Sequence, residues 1–335
     1  MEQEKIKIFL IGDYRSGTGP ANVTLEYKNR IPGVLLQRMR SKVLRVPELI
    51  VKILRSDVIL LSGHSRQNVL SLKIARRFHK RSAFLMHGCV EHENAINGVP
   101  DASMNETERK TMEGADAIYA VSAHFADWLK RNYPEHAGKI SAVPNGMDLT
   151  AQSLPQTAEK IKHRLISVGG GMPRKQIRYI AEAVMRLRQE SAYADTELIV
   201  IGAKGLDTEA VNAFPCVRDL GIVSREKTME LLGSSELFIQ NSCFETFGLA
   251  PLEALKAGTS LLLSTEIGAT ELIPGLQDGD LIRDTHDPEE IAGKIKALLE
   301  NGNHDRLLSS IDTEYVSWNR RCDLLIRKLQ ELAKK

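Results

Sequence analysis

The sequence predicts an α/β protein made of two doubly wound Rossmann-like domains. Short apolar runs alternate with stretches of helical periodicity along most of the 335 residues, as βαβ units of parallel sheets require. The alternation breaks at 144–162, which bears Pro, Gly and Gln without apolar periodicity, and then resumes. We predict an N-terminal domain over 1–148, a linker over 149–162 and a C-terminal domain over 163–335. The last helix is a candidate for packing back on the first domain.

Nine apolar runs are the candidate strands. They lie at 6–11, 58–61, 83–87, 117–121 and 140–143, and then at 165–169, 197–202, 236–240 and 260–264. Helical periodicity covers 66–79, 122–133, 176–190, 225–233 and 250–257. Ligands of such sheets bind beyond the carboxyl ends of the strands, so the residues directly after each run are the first site candidates.

Composition narrows the classes of protein that fit. A net charge of +2 argues against a nucleic-acid binder, and the four cysteines form no CxxC pair, as in a reduced intracellular protein. The first apolar run is too short for a signal peptide, and no run reaches the ~18 apolar residues of a membrane span. We therefore expect a cytoplasmic protein.

The segment 28–55 is strongly basic, with eight Lys and Arg residues against one acidic residue, Glu48. Its simplest interpretation is a solvated face. Because leucines and a methionine interleave with the charges, an interfacial helix on an anionic membrane is the alternative. On that alternative the protein would contact the inner membrane face peripherally.

The stretch IGDYRSGTGPANVT, residues 11–24, follows the first apolar run and matches neither of two nucleotide fingerprints. A dinucleotide loop needs glycine where Asn22 stands, and a P-loop needs Lys and a hydroxyl residue where Thr18 and Gly19 stand. A flexible loop with Pro20 at a helix start can still offer backbone N–H groups to an anion. The alternative is a tight βα turn.

The segment NSCFETFGLAPLEALKAG, residues 241–258, places Glu245 and Glu253 eight positions apart. We predict a helix that begins near Gly248 with Pro251 in its first turn, which puts Glu245 in the preceding loop and Glu253 on the second turn. Two carboxylates around the free N–H groups of a helix start suit sugar, diphosphate and ribose in a row. Glu253 could instead be a solvated helix residue.

Two further candidates follow predicted strands. Arg174 and Lys175 come after the strand at 165–169 and would neutralise a diphosphate, although a surface pair at a helix start is the alternative. His87 ends the strand at 83–87, where a satisfied core histidine is the alternative.

Two metal-like patterns do not predict a metal site. Asp278 and Asp280 form a DxD that is better interpreted as a turn near the C-terminus. His92 begins an HExxH-like pattern, but Ile96 stands where the second histidine belongs. We expect no metal.

These motifs occur together in one known family. Glu245 to Glu253 with FGLAPLEAL resembles the EX7E motif of retaining family 4 glycosyltransferases with the GT-B fold. The segments 115–129, 140–148, 220–242, 278–295 and 317–321 resemble other segments of that family in the same order.

The resemblance implies an acceptor-binding and a nucleotide-sugar-binding domain that face each other across a cleft. It also implies metal-independent transfer of a hexose from a UDP- or GDP-sugar co-substrate, without another cofactor, to a hydroxyl of a glycan or lipid-linked acceptor. Such transfer would retain the anomeric configuration and serve polysaccharide or glycoconjugate biosynthesis.

The same resemblance assigns roles to the candidates. Glu245 would bind the donor hexose, Glu253 the ribose hydroxyls, and Arg174 with Lys175 the diphosphate. His87 would lie near the transferred sugar and the acceptor. The backbone N–H groups that would meet sugar or phosphate belong to Phe247, Gly248 and Leu249. The first-domain loop that would close over the diphosphate comprises Gly17, Thr18 and Gly19.

The chain departs from the family pattern in two places. The family usually has an arginine directly after the strand glycine, where this chain has Gly170 and Gly171. Its lysine is usually followed by glycine, whereas Gln176 follows Lys175 here. The phosphate charge would therefore rest on Arg174 and Lys175 with less redundancy than in the family.

Three other functions remain open. A glycosidase would use two carboxylates but has no use for the basic pair. A GT-B sugar-nucleotide epimerase would share the nucleotide site and need no acceptor. A non-catalytic nucleotide-sugar-binding protein would keep Glu253 and the basic pair yet tolerate the loss of Glu245.

Overall fold

A computed structural model describes residues 6–37, 39, 42–149 and 159–335, which divide into two compact units. Unit 1 contains the described residues of Met1–His92, Asp101–Gly146 and Glu314–Lys335, and unit 2 contains those of Glu93–Pro100 and Met147–Thr313. Most of the predicted linker at 149–162 lies outside the described residues. The predicted domain limits stay a prediction.

Each unit contains a six-stranded parallel sheet. The unit 1 strands are β1 (Ile8–Gly12), β2 (Leu35–Leu36), β3 (Val58–Ser62), β4 (Arg81–Met86), β5 (Ala117–Ala120) and β6 (Ile140–Ala142). The unit 2 strands are β7 (Ile161–Val168), β8 (Glu197–Ile201), β9 (Val217–Asp219), β10 (Ser235–Gln240), β11 (Ser260–Ser264) and β12 (Leu281–Ile282). All nine predicted strands are present, and the predicted α/β class is confirmed.

Thirteen α-helices lie in the part of the chain that the structure describes. They are α1 (Gly19–Arg30), α2 (Lys42–Arg55), α3 (Gln67–Arg77), α4 (Val90–Ile96), α5 (Ala102–Gly114), α6 (Ala123–Asn132), α7 (Ile177–Leu187), α8 (Thr208–Asn212), α9 (Arg225–Ser234), α10 (Ala250–Lys256), α11 (Pro288–Asn301), α12 (His304–Ser310) and α13 (Trp318–Ala333). Central strands such as β3 and β11 are buried along their whole length, because helices cover both faces of a doubly wound sheet.

The strand order locates the point in each sheet where ligands of such folds bind. Unit 1 has the order β2-β1-β3-β4-β5-β6, so the direction of winding reverses between β1 and β3. Unit 2 has the order β12-β11-β10-β7-β8-β9, so the reversal lies between β7 and β10. A crevice opens beyond the carboxyl ends of the strands at such a switch point. In unit 2, the loops after β7 and β10 carry the predicted basic pair and Glu245.

Candidate active site

The carboxylate of Glu245 is the centre of a charged cluster at the switch point of unit 2. Its Oε2 accepts hydrogen bonds from Lys175 Nζ and, at 3.1 Å, from Arg174 Nη1. Gln240 Nε2 donates to the same oxygen at 3.2 Å. Within the described chain no donor reaches Oε1. One oxygen of Glu245 is therefore held by three donors, and the other is available to a ligand.

Electrostatics keep Glu245 ionised at neutral pH. Burial raises the pKa of this carboxyl, but the Lys175 ammonium and the Arg174 guanidinium outweigh burial and lower it to about 2. Burial lowers the pKa of Lys175, and Glu245 offsets part of that effect. The two cations outnumber Glu245 in this cluster, and the Glu93 carboxylate, 3.5 Å from Arg174 Nη2, balances the remaining positive charge.

Arg174 has further contacts inside unit 2. Its Nη1 also donates to Phe244 O at 3.3 Å, and its backbone N–H donates to Asn97 Oδ1 at 3.3 Å. Its Nη2 lies 3.5 Å from a carboxylate oxygen of Glu93. Its Nε is buried and has no hydrogen-bond partner among the described residues. The guanidinium is thus held in place by the contacts of Nη1 and Nη2.

Three consecutive glycines after β7 let the backbone pack where side chains would not fit. A Cβ at Gly169, which has φ +149°, would lie 2.6 Å from Lys175 Cγ, so the lysine stem runs directly over this residue. A Cβ at Gly170 would overlap Ala203 O, and one at Gly171 would overlap Thr208 Oγ1. The arginine usual in the resembled family could not extend from this backbone.

Glu253 lies apart from the charged cluster. The helix predicted from near Gly248 begins at Ala250, so Glu253 is in the first turn of α10 and not, as predicted, in the second. Its nearest cation is Arg225, with Nη2 3.9 Å from Oε1. Burial raises the pKa of this carboxyl, and Arg225 with Lys256 offsets only part of the effect. Hydrogen bonds from hydroxyl groups of a ligand would stabilise the ionised form of such a carboxylate.

The backbone between the two glutamates has unused donors. No backbone carbonyl of the described chain accepts a hydrogen bond from the N–H of Phe247, Gly248 or Leu249. Gly248 has φ +82°, a conformation that favours glycine, and the Phe247 side chain is buried. The loop therefore places three N–H groups beside Glu245 without internal partners.

His87 lies in unit 1, in a chain of neutral hydrogen bonds. Its Nε2 is 2.9 Å from Ser62 Oγ, which is 2.7 Å from Thr24 Oγ1. The Thr24 hydroxyl donates to Pro20 O at 2.9 Å. Burial lowers the pKa of His87 to about 4, so its ring is neutral at pH 7.

The predicted glycine loop forms the turn between β1 and α1. Thr18 is the N-cap of α1, and its Oγ1 accepts from Ala21 N. Gly17 has φ +75°, and Gly19 is the first residue of the helix. A Cβ at either glycine would meet nothing within 4 Å. The turn is exposed, and its role over the diphosphate stays a prediction.

The DxD carboxylates have separate structural partners. Asp280 is buried and accepts two hydrogen bonds from Arg306 Nη2 and one from Asn303 Nδ2, while Asp278 pairs with Arg283. Among the residues that the structure describes, no group of three His, Cys, Asp or Glu side chains is arranged to hold a metal ion.

Both halves of the chain match glycosyltransferase family models. Residues 3–151 match the model described as Glycosyltransferase Family 4, and residues 162–301 match the model described as Glycosyl transferases group 1. The chain belongs to the family 4-like glycosyltransferases. Its domain content is that of a transferase enzyme.

Curated relatives are distant. The chain is 24% identical to an alpha-maltose-1-phosphate synthase of Mycolicibacterium smegmatis, over 56% of this chain and 54% of the relative. It is 26% identical to a D-inositol 3-phosphate glycosyltransferase of Nocardioides sp., over 58% of this chain and 48% of the relative. The chain thus spans about half the length of the curated relatives it matches.

Solved structures share the fold over nearly the whole chain. Anabaena Alr3699/HepE, solved in complex with UDP and glucose, superposes with a TM-score of 0.69 at 14% identity, covering 98% of this chain and 100% of that chain. Sucrose-phosphate synthase from Thermosynechococcus elongatus gives a TM-score of 0.67 at 16% identity, covering 98% and 99%. These likenesses confirm the predicted GT-B fold.

Some site residues of this glycosyltransferase were not predicted from the sequence. Gln240 contacts Glu245, and Ser62 and Thr24 extend from His87. Gln240 could have been noticed as the one strongly polar residue at the end of the apolar strand SELFIQ. Ser62 ends the buried strand VILLS in the same way. Thr24 carries no such signal, because it lies inside a helix.

Proposed function

We propose that this glycosyltransferase moves a hexose from a UDP- or GDP-sugar to a hydroxyl of a glycan or lipid-linked acceptor, with retention at the anomeric carbon. The cluster of Glu245, Arg174 and Lys175 at the switch point of unit 2 carries the proposal. It combines an ionised carboxylate, which suits sugar hydroxyls, with two cations, which suit a diphosphate. The nucleotide-sugar donor is further supported by the UDP and glucose in the Anabaena structure.

Unit 2 supplies the proposed donor contacts. Oε1 of Glu245 accepts from a hexose hydroxyl, and Glu253 accepts from the ribose hydroxyls. The N–H groups of Phe247, Gly248 and Leu249 donate to the sugar or the phosphates. These assignments are consistent with the open Oε1, with the burial that raises the pKa of Glu253 and with the donors left unused by the backbone.

The proposed reaction needs no protein nucleophile. The acceptor oxygen forms a bond to the anomeric carbon as the bond from that carbon to the diphosphate oxygen breaks, and the hydroxyl proton passes to the leaving diphosphate. Arg174 and Lys175 stabilise the charge that develops on the diphosphate. His87, neutral at pH 7, offers a hydrogen bond in unit 1 to the sugar or acceptor without adding charge. We propose that the reaction requires no metal.

Replacement of each glutamate tests the proposal against its alternatives. We expect Glu245→Ala and Glu253→Ala each to lower transfer from UDP- or GDP-sugars, Glu253→Ala mainly by weakening donor binding. A sugar nucleotide altered without any acceptor would instead indicate an epimerase. Donor binding that survives Glu245→Ala, with no turnover in the wild type, would indicate a non-catalytic binding protein. Unchanged transfer in both variants would contradict the proposal.

We also propose that the enzyme is cytoplasmic and that α2 contacts an anionic bilayer at the inner membrane face. No helix of the described chain is long and apolar enough to span a membrane. Leu49 and Ile53 of α2 are fully buried in unit 1, whereas Leu44, Val51 and Leu54 are 47–55% exposed on the opposite side. The surrounding segment 28–55 is basic, which suits anionic lipid headgroups.

Vesicle flotation tests the bilayer contact. The wild type should float with vesicles that contain phosphatidylserine and remain unbound with phosphatidylcholine alone. Val51→Asp with Leu54→Asp should abolish flotation, while Ile222→Asp, at a residue 81% exposed in unit 2, should not. If the wild type binds neither kind of vesicle, the proposal for the bilayer fails.

A further inference from the structure

We propose that Gln240 is a positioning residue that fixes the carboxylate of Glu245 for the sugar of the donor, an inference that rests on the proposed function. Gln240 ends β10, and its side chain is only 2% exposed. A buried amide group destabilises the fold where its donors and acceptors lack hydrogen-bond partners. Among the described residues only the Nε2 end of this amide has hydrogen-bond partners, whereas its buried Oε1 has none, so the contacts of Nε2 are what the position provides.

Those partners determine how the amide is oriented. Nε2 donates to Glu245 Oε2 at 3.2 Å and to Ser242 Oγ at 3.2 Å. The opposite orientation would place the amide oxygen against an ionised carboxylate, where two acceptors would repel. The ionised Glu245 thus fixes the Gln240 amide, and the amide in return restrains Glu245.

Gln240 differs from the other two donors to Oε2 because it is neutral. Arg174 and Lys175 are cations, so a bound diphosphate would compete with Glu245 for them. An amide is drawn far less to a diphosphate and would keep its hydrogen bond to Oε2. Gln240 therefore keeps its hydrogen bond to Glu245 when Arg174 and Lys175 contact the phosphates of the nucleotide sugar.

The same amide also lies against the loop that carries the unused N–H groups. A Cβ at Gly248 would be 3.3 Å from Gln240 Nε2 and 3.1 Å from Glu245 Cγ. The backbone at Gly248 thus packs directly on the Gln240–Glu245 pair. Gln240 links the position of the carboxylate to the position of the loop backbone beside it.

Calorimetry with UDP and with UDP- and GDP-sugars tests this role. Gln240→Met keeps the length of the side chain and removes the amide. We expect the variant to bind the sugar nucleotide about 3- to 10-fold more weakly, within the usual net contribution of one hydrogen bond, and to bind UDP with less than a twofold change. In a Glu245→Gln background, the same substitution should have no further effect on sugar-nucleotide binding.

Ser264→Ala is the matched control. Ser264 Oγ donates to Ser242 O, so the substitution loosens the same loop without removing a contact to Glu245. It should leave the ratio of UDP to UDP-sugar affinity unchanged. If Gln240→Met weakens UDP and UDP-sugar equally, or if its effect persists in the Glu245→Gln background, the positioning role is wrong.

A second variant keeps the test decisive if Gln240→Met does not fold. Gln240→Glu preserves size and places a second carboxylate beside Glu245, which should compete for Lys175 and weaken sugar-nucleotide binding about tenfold. Unchanged binding would contradict the positioning role. If the wild type itself binds none of the nucleotides, it is the proposed function that fails, and the two failures are thus distinguished.

Discussion

Two side-chain clusters at the carboxyl ends of the parallel sheets, one in each unit, differ in charge. In unit 2, the loops after β7 and β10 bring together Arg174, Lys175 and Glu245. In unit 1, the hydrogen-bonded chain near the ends of β3 and β4 contains only neutral groups, those of Ser62 and His87 with Thr24 from α1. Both sheets are doubly wound, so the fold alone does not decide the chemistry at either one.

The difference in charge indicates which substrate each unit can bind. Paired buried charges are stabilised by an anion or by several hydroxyl donors, as in a nucleotide sugar. A neutral imidazole with hydroxyl partners can exchange hydrogen bonds with a sugar hydroxyl without a charge to desolvate. The proposed division into a donor-binding unit 2 and an acceptor-binding unit 1 follows from this contrast. The predictions below test it, from the largest expected effect to the smallest.

Removal of the charge of Glu245 should have the largest effect. Glu245→Gln leaves Lys175 and Arg174 buried without their main counter-charge, so we expect the free energy of unfolding to fall by about 3 kcal/mol. Transfer should fall by about 10²- to 10³-fold, because the contact to the sugar is lost and the two cations are no longer held in position. Urea denaturation and initial rates measure the two effects.

Glu253→Gln provides the comparison for that experiment. Burial raises the pKa of Glu253, so its charge is disfavoured in the folded state and its removal should not lower stability. Transfer should still fall through weaker donor binding. Equal losses of stability in the two variants would mean that Glu245 is no more tightly coupled to its neighbours than Glu253 is.

Two glycine substitutions, one in each unit, test whether unit 2 alone binds the nucleotide. Gly169→Ala in unit 2 would place a Cβ 2.6 Å from Lys175 Cγ and displace the lysine, so donor binding should weaken at least tenfold. Gly12→Ala in unit 1 would place a Cβ 2.6 Å from Ser62 O, which disturbs the chain to His87. It should lower transfer while UDP affinity stays within twofold. Calorimetry with UDP and initial rates of transfer distinguish the two variants. Weaker UDP binding by Gly12→Ala would contradict the division into a donor-binding unit 2 and an acceptor-binding unit 1.

Much of the fold could be predicted because its signals are local. Apolar runs of four or more residues marked nine strands, but β2, β9 and β12 contain only two or three residues. Such short edge strands form because a neighbouring strand is already in place, as β2 pairs with β1 through Phe9 and Leu10. No periodicity can develop over two residues.

The site was predictable by residue type more than by geometry. Arg174, Lys175 and Glu245 were all candidates, yet nothing in their spacing shows that both cations and Gln240 converge on a single carboxylate oxygen. That arrangement depends on the register of β7 against β10 and on the packing of Gly169 beneath Lys175. The start of α10 differed from the prediction by two residues, which moved Glu253 into the first turn.

Acid should destabilise unit 1 before it affects the Glu245 cluster of unit 2. The folded pKa of His87 is about 4, below its ordinary value of 6.5, so the unfolded chain binds a proton that the folded chain does not. Stability that is present above pH 6.5 should decline by about 3 kcal/mol as the pH falls towards 4. The contribution of Glu245, whose folded pKa is about 2, is present above its ordinary value of 4.5 and lost only below it.

Tryptophan fluorescence can follow unit 1 alone, because both tryptophans, Trp128 and Trp318, lie in that unit. Between pH 6.5 and 4, its melting temperature should fall in the wild type and change much less in His87→Gln. His64→Gln, which alters another histidine of unit 1, should keep the dependence. A pH dependence that persists in His87→Gln would show that other groups in unit 1 cause it.

The smallest effects are expected at the turn between β1 and α1, and they decide whether this turn takes part in the reaction. Gly17 has φ +75°, so Gly17→Ala should lower the free energy of unfolding by about 1 kcal/mol through backbone strain. Gly19 starts α1 with open space around its Cα, so Gly19→Ala should leave stability unchanged or raise it by about 0.5 kcal/mol. If the turn covers the diphosphate, as the family resemblance implies, the added methyl should still lower transfer by about two- to fivefold, because the backbone must approach the phosphates closely. Unchanged transfer by Gly19→Ala in a protein of full stability would instead show that residues 17–19 only connect β1 to α1, and the charged loops of unit 2 would then bind the diphosphate without help from this turn.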